Sequence, residues 1–238
     1  MKRLFLAPLL LLATPAQSQP IPDAKDVPYP GTMTLNVDAT DTARGIFRVN
    51  QTIPVPQSRP MVLLFPEWLP GSHAPRGQIE KLAGLVIKAG GKTLQWKRDA
   101  QDVYAFHIIV PPGARQLDIA FQFLSATEDN QGRIVVTPEM MNLQPNSVSL
   151  YPAGYATRRI PVSMTVTWPA GWKAATALRP VGAPTGNVVK YQTVDYETLV
   201  DSPIFAGKHF RAEPLGQGVM LNIVADDAKF LAATPAQI

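Results

Sequence analysis

Proline interrupts this chain so often that it leaves no room for a long helix. The 238 residues include 24 Pro and 16 Gly, and a proline inside a helix removes a hydrogen bond and clashes with the preceding turn. Between the breakers lie short runs that alternate apolar and polar residues, the period of a half-buried strand. Gln116–Leu124 does so most regularly. Leu117, Ile119, Phe121 and Phe123 face one way, and Gln116, Asp118, Ala120 and Gln122 the other. Gly45–Ile53 follows the same rule, with Phe47, Val49, Gln51 and Ile53 sharing a face.

Further strands are predicted at Thr32–Asp38, Met61–Phe65, Val103–Val110, Arg133–Val136, Ser147–Tyr151, Ile160–Trp168, Lys173–Leu178, Val188–Gln192, Ile204–Arg211 and Val219–Ala225. Leu85–Lys88 and Thr93–Lys97 read as a hairpin across Gly90-Gly91. A dozen or more short strands with turn signals between them point to an all-β fold, an antiparallel β-sandwich or saddle-shaped sheet. One or two short helices fit beside it. Thr137-Pro138-Glu139 has the cap, proline and acid of a helix start, and Asp195 can cap a single turn ending before Pro203. The tail from Asp226 is helix-prone, and Thr234-Pro235 resembles a cap and first helical residue.

The chain opens with Met1-Lys2-Arg3, an apolar run ending by Thr14, and small residues at Ala16 and Ser18. This pattern is that of a secretory signal peptide over residues 1–18. The apolar run falls short of the roughly 20 residues a bilayer span needs. Residues 19–30, with four prolines, read as a flexible or extended segment. Residues 31–225 form the predicted β domain, and residues 226–238 begin a linker or helix toward further chain. The expected location is periplasmic or secreted, with no membrane association after cleavage.

There is no Cys, which excludes disulfides, thiolate catalysis and Cys-bound zinc. The chain has 22 Lys and Arg against 18 Asp and Glu. Loss of Lys2 and Arg3 with the signal leaves 20 against 18, a net charge of +2. No basic stripe interleaved with aromatics is present, so nucleic acid is not an expected partner.

Residues 59–85, RPMVLLFPEWLPGSHAPRGQIEKLAGL, carry the strongest local pattern. An apolar strand breaks at Pro66 and feeds a loop holding Trp68, Pro70-Gly71, Ser72, His73 and Arg76 before and after Pro75. The structural reading is that Trp68 plugs a core and Arg76 pairs with Glu67 or Glu80. The functional reading is that the loop presents these side chains.

Familiar catalytic patterns are missing. The three His, at 73, 107 and 209, do not form a His pair four apart beside a Glu, and no G-x-S-x-G, P-loop or Rossmann glycine pattern occurs. His107, between Phe106 and Ile108, reads as a satisfied core or edge residue.

The segment Pro66-Glu-Trp68-Leu-Pro70-Gly71-Ser72-His73, followed by Arg76, resembles the P-x-W-x-P-G-S-Y…R segment in the N-terminal domain of the glycyl aminopeptidase family of zinc metallopeptidases. Leu143 to Gly154, Trp168 to Trp172, and Leu199 to Gly207, with Asp201-Ser202-Pro203 at its centre, are similar to further stretches of that family, in the same order. His73 stands where the family has Tyr. The resemblance implies a non-catalytic β domain that supports a catalytic metallopeptidase domain and borders a cleft for peptide substrate. It also implies that zinc belongs to that other domain, that this chain alone carries no cofactor and is inactive, and that the sequence is truncated relative to such an enzyme. The alternative is a free-standing secreted β-sandwich that binds carbohydrate or protein through exposed Trp68, Trp96 or Trp172.

Overall fold

The computed structural model describes residues 20–56, 60–69 and 71–234. The signal-peptide reading of residues 1–18 and the step from Thr234 into Pro235 lie outside the described residues.

The strand Gln116–Leu124 forms over the residues whose pattern predicts it, with Leu117, Ile119, Phe121 and Phe123 buried. It runs antiparallel to Ile46–Pro54 on one side and Leu82–Ala89 on the other. From Ile46–Pro54 the sheet continues through Met33–Asp41 and Pro161–Thr167 to an edge at Val188–Lys190. Lys92–Leu94 forms the opposite edge, and Val194–Asp195 also pairs with Pro161–Thr167. One pairing in this eight-stranded sheet is parallel: Met33–Asp41 lies beside Pro161–Thr167, from Met33 opposite Val162 to Asp38 opposite Thr167. Parallel neighbours cannot be joined by a tight turn. Here residues 42–160 make the crossover, and they contain much of the rest of the fold.

A four-stranded sheet, Tyr151–Pro152, Pro60–Leu64, Ala105–Ile109 and Trp96–Arg98, supplies Leu63, Phe106 and Ile108 to the same apolar cluster as the large sheet. Three short strands, Lys173–Ala175, Ile204–Gly207 and Met140–Leu143, form another sheet. His209–Gly216 and Val219–Ala225 make a separate hairpin. The all-β expectation therefore holds, as several mostly antiparallel sheets with one short α-helix, Tyr196–Val200. Asp195 caps that helix, accepting from the Thr198 N–H at 2.9 Å. Among the described residues no helix is long and apolar enough to cross a membrane.

Several local expectations fail for identifiable reasons. No helix starts at Thr137. Its hydroxyl does accept from the Met140 N–H at 3.1 Å, as a cap would, but the Thr137 N–H donates to Met140 O at 2.8 Å and the chain turns into the strand Met140–Leu143. The expected strand at Arg133–Val136 shrinks to one bridge between Val136 and Met141. Ser147–Tyr151 becomes the end of a 3₁₀ turn, Pro145–Ser147, followed by the short strand at Tyr151. Thr93–Lys97 splits at Gln95, so that Lys92–Leu94 serves the large sheet and Trp96–Arg98 the four-stranded one. The Trp96 indole anchors the split by donating to Leu85 O at 3.1 Å. Ile204–Arg211 likewise breaks at Lys208, whose N–H donates to Glu139 O at 2.9 Å.

Residues 20–30 are extended and tied down rather than free. Lys25 donates to Gly154 O and accepts from the Ala156 N–H, while Asp26 pairs with Arg158 and Arg159. Tyr29 is buried.

The apolar face of Ile46–Pro54 contains one polar residue, Gln51, which is fully buried. Its amide nitrogen donates to Leu150 O at 2.6 Å, and its amide oxygen accepts from the Leu150 N–H at 3.0 Å. A side chain thus satisfies both backbone groups of a residue outside any strand, where an unpaired buried group costs about 1–3 kcal/mol. Replacement of this amide by an apolar side chain, Gln51→Leu, orphans two backbone groups and should cost about 2–5 kcal/mol. The denaturant midpoint measures this, and an unshifted midpoint would refute the assignment.

Candidate functional site

The loop after Pro60–Leu64 is closed by its backbone. The Phe65 N–H donates to Tyr104 O at 2.9 Å, and Pro66 is buried. The chain then leaves the body and returns. Trp68 forms an antiparallel bridge with Pro75, and the N–H groups of Arg76 and Gly77 both donate to Glu67 O, at 2.9 and 3.0 Å. The Ser72 N–H donates to Leu69 O at 3.0 Å, across a turn in which Gly71 has φ +75°, a conformation costly for other residues. Gly77 is packed so closely that a Cβ there would lie 2.1 Å from Pro66 O. The Tyr104 hydroxyl donates to Gly77 O at 3.1 Å and completes the neck.

Because these bonds close the loop, no side chain has to plug it. Trp68 is 62% exposed, not buried in a core. Arg76 is exposed and forms no ion pair with Glu67 or Glu80. The anchoring reading of both residues is therefore overturned. Gly71 and His73 are exposed and Ser72 is half-buried, while Pro70 lies outside the described residues.

Under the loop runs a groove with a cavity volume of about 450 Å³. Leu69, Ser72 and Arg76 form its loop wall, and Phe47 and Phe123 of the large sheet contribute apolar surface. Gln144, Asn146 and Ser147 form the facing wall, with Asn142, Gln78 and Arg133 also lining the space. The facing wall is fixed from behind. Ser149 Oγ donates to Pro145 O at 2.7 Å and lies 2.9 Å from the buried Tyr196 hydroxyl. Asn146 donates to Val200 O at 3.4 Å.

The Asp201-Ser202-Pro203 turn belongs to this support rather than to the groove lining. Ser202 is buried and its hydroxyl donates to Thr198 O at 2.7 Å, closing the helix end. Pro203 then leads into Ile204–Gly207, where Ile204 pairs with Leu143. Asp201 is exposed. The structure thus gathers three distant stretches, 66–76, 143–154 and 199–207, around and behind one groove.

Acids and tyrosines cluster at the loop's base. Burial lifts the Glu67 carboxyl above its ordinary value, and the charge of Asp102 acts the same way. Burial, helped by Glu67 and Asp102, pushes Tyr151 up to about 12 and raises Tyr104 as well. His107 Nε2 lies 2.7 Å from Asp99 Oδ2, the satisfied edge histidine its neighbours imply. The N–H groups of Asp102 and Gln101, and then His107, hold the Asp99 carboxyl down at about 2. His209 lies 3.4 Å from Glu139. Among the described residues no three His, Cys, Asp or Glu gather as metal ligands would. Zinc takes about three protein ligands and an open position. The described residues offer no such ligand set.

Residues 34–208 match the family described as the peptidase M61 N-terminal domain. The chain belongs to that family. Among solved structures it resembles an aminopeptidase N family protein from Idiomarina loihiensis, with a TM-score of 0.67 and 17% identity over 84% of this chain and 34% of that one. At that identity the likeness speaks for the fold. Two others are more distant. Yeast LTA4 hydrolase in complex with bestatin has a TM-score of 0.48 and 10% identity over 80% of this chain and 30% of its own. An M1 zinc metallopeptidase variant from Deinococcus radiodurans, bound to a Tyr-Ser-Ala substrate, has a TM-score of 0.44 and 13% identity over 83% of this chain and 46% of its own. This M61 N-terminal domain chain spans about a third of the length of the first of these structures. No curated protein matches it significantly.

Gln78, Arg133 and Asn142 escape the sequence reading because nothing near them marks a site. They meet only through the tertiary fold. Gly77 also escapes it, since the need for glycine there comes from Pro66 O, eleven residues back in the chain, folding against it.

Two substitutions separate neck from tip. Gly77→Ala forces a Cβ onto a backbone carbonyl and should destabilise by about 1–3 kcal/mol, whereas Trp68→Ala should stay within about 0.5 kcal/mol of wild type. Equal effects in chemical denaturation would contradict the geometry. Asp99 makes a separate test. Its depressed value means stabilisation present above the ordinary aspartate value, about 3.9, and lost as pH falls through about 2. Asp99→Asn should therefore be less stable at neutral pH and lose less on acidification. Superimposable acid-unfolding curves would count against it.

Proposed function

We propose that this M61 N-terminal domain is the non-catalytic partner of a glycyl aminopeptidase-like catalytic metallopeptidase domain, in a secreted or periplasmic protein. Its work is to support that domain and to border the cleft that receives a peptide. The observation that carries the reading is the family match over residues 34–208, together with the convergence of three of the four family-like stretches around and behind one groove. The exposed loop tip, with Trp68 and His73, is built for contact with something outside this domain. The hairpin from His209 lies just past the matched residues. It rests on the body through Gly207, where a Cβ would meet Val224 at 2.4 Å, and through Glu139, which holds Lys208 and His209. In this reading zinc and the hydrolytic chemistry belong to the catalytic domain, and the signal peptide directs export.

Exposed Trp68 also supports a second reading, a free-standing domain that binds carbohydrate or protein by stacking.

The test is to purify the exported chain, identify its first residue, dialyse it against zinc, and assay glycyl and alanyl amides with and without an M61 catalytic domain. The expected outcome is a chain beginning at Gln19, without stoichiometric zinc or turnover alone, that supports turnover when joined to the catalytic domain. Stoichiometric zinc with chelator-sensitive turnover by this chain alone would overturn the proposal.

A further inference from the structure

The groove beneath the loop is rich in hydrogen-bond donors and has no carboxylate in its lining. Arg76 and Arg133 both line it, and neither guanidinium has an ion pair among the described residues. Between the strand wall and the sheet sits Asn142, only 6% exposed. Its amide oxygen accepts from Gln144 Nε2 at 2.9 Å, which leaves the amide nitrogen as the free end, and that nitrogen has no partner. Lys81, 9% exposed and outside the groove lining, also has an unpartnered ammonium. A Cβ placed on Gly132, next to Arg133, would lie 3.2 Å from that ammonium and 3.6 Å from the Gln78 amide nitrogen.

A buried donor without an acceptor costs free energy, and a buried cation without an anion costs more. Asn142 in the lining, with two unpaired guanidinium groups beside it in the same lining, implies an anionic occupant. Guanidinium and primary amide groups offer planar paired donors that match a carboxylate. Beside these and the polar Ser72, Gln144, Asn146 and Ser147, the lining holds four apolar residues: Phe47, Phe123, Val135 and Leu69. A small inorganic anion would leave that surface unused, whereas a carboxylate with an apolar side chain beside it fills both parts.

We propose that this groove binds the C-terminal carboxylate of a short peptide, with Arg76 and Arg133 on the carboxylate and the Phe47 and Phe123 side accommodating the last side chain. The assignment stands on this domain alone, whether or not a catalytic domain is attached.

The experiment titrates the chain with N-acetyl-Ala-Phe as the free acid, with its C-terminal amide, and with inorganic phosphate, followed by amide chemical shifts. The free acid should bind saturably and weaken with added salt, and the amide should bind at least about tenfold more weakly, the scale of a charge-assisted pair. Arg76→Gln and Arg133→Gln, both exposed positions that leave the core intact, should each lower affinity about tenfold, with Arg76→Lys falling less. Arg115→Gln, an exposed arginine outside the groove lining, should leave binding unchanged. Equal affinity for acid and amide would overturn the proposal. So would phosphate binding as tightly as the free acid, or shifts that map away from the groove.

Discussion

The pairing of one buried amide with one backbone residue, Gln51 with Leu150, governs how this domain is assembled. Residues 145–150 have no strand partner of their own, so something must satisfy their polar groups before they can lie against the inner face of the large sheet. Gln51 does this from within an apolar row. Once Leu150 is held, Ser149 reaches Tyr196 and Asn146 reaches Val200, so the short helix and the turn after it are secured through the same segment. The wall carrying Asn146 and Ser147 is therefore an extension of the core rather than an independent loop.

The opposite wall is built on another principle. Between Pro66 and Gly77 the stabilising contacts are main-chain hydrogen bonds, the Tyr104 hydroxyl on Gly77 O and one steric fit, and the loop's own side chains are left over. That division explains how a loop holding tryptophan, histidine and arginine can be closed at its neck and still present them. The site thus combines a wall positioned by buried side chains with a wall positioned by backbone.

Much of the fold is legible in the sequence because strand periodicity survives wherever one face is buried. Gln116–Leu124 has the bounds its pattern implies, and Asp195 caps the helix its position suggests; Val219–Ala225 also keeps its predicted bounds, although none of its residues is buried. Reading fails where a local signal has two outcomes. Thr137 makes the same hydroxyl-to-backbone bonds at a helix cap or in a tight turn, and only the partner strand decides. It fails again at Trp68, because composition predicts burial for a tryptophan and takes no account of a loop already closed by its backbone. The groove was half visible. The family-like stretches mark Ser72, Arg76 and Asn146, while Arg133 and Asn142 come from segments that only the folded chain brings near.

The parallel pairing of Met33–Asp41 with Pro161–Thr167 sets an order of events. Closing a contact across well over a hundred residues is entropically dear and comes late, since loop-closure entropy must be met before distant contacts reward it. Until Pro161–Thr167 arrives, the first strand can form its hairpin with Ile46–Pro54 but keeps its other edge open, a template for any passing strand. During synthesis the interval is the time needed to make the crossover. The architecture that fixes the groove therefore also defines a window of vulnerability to misassociation, and that window closes only when the chain has been made through Thr167.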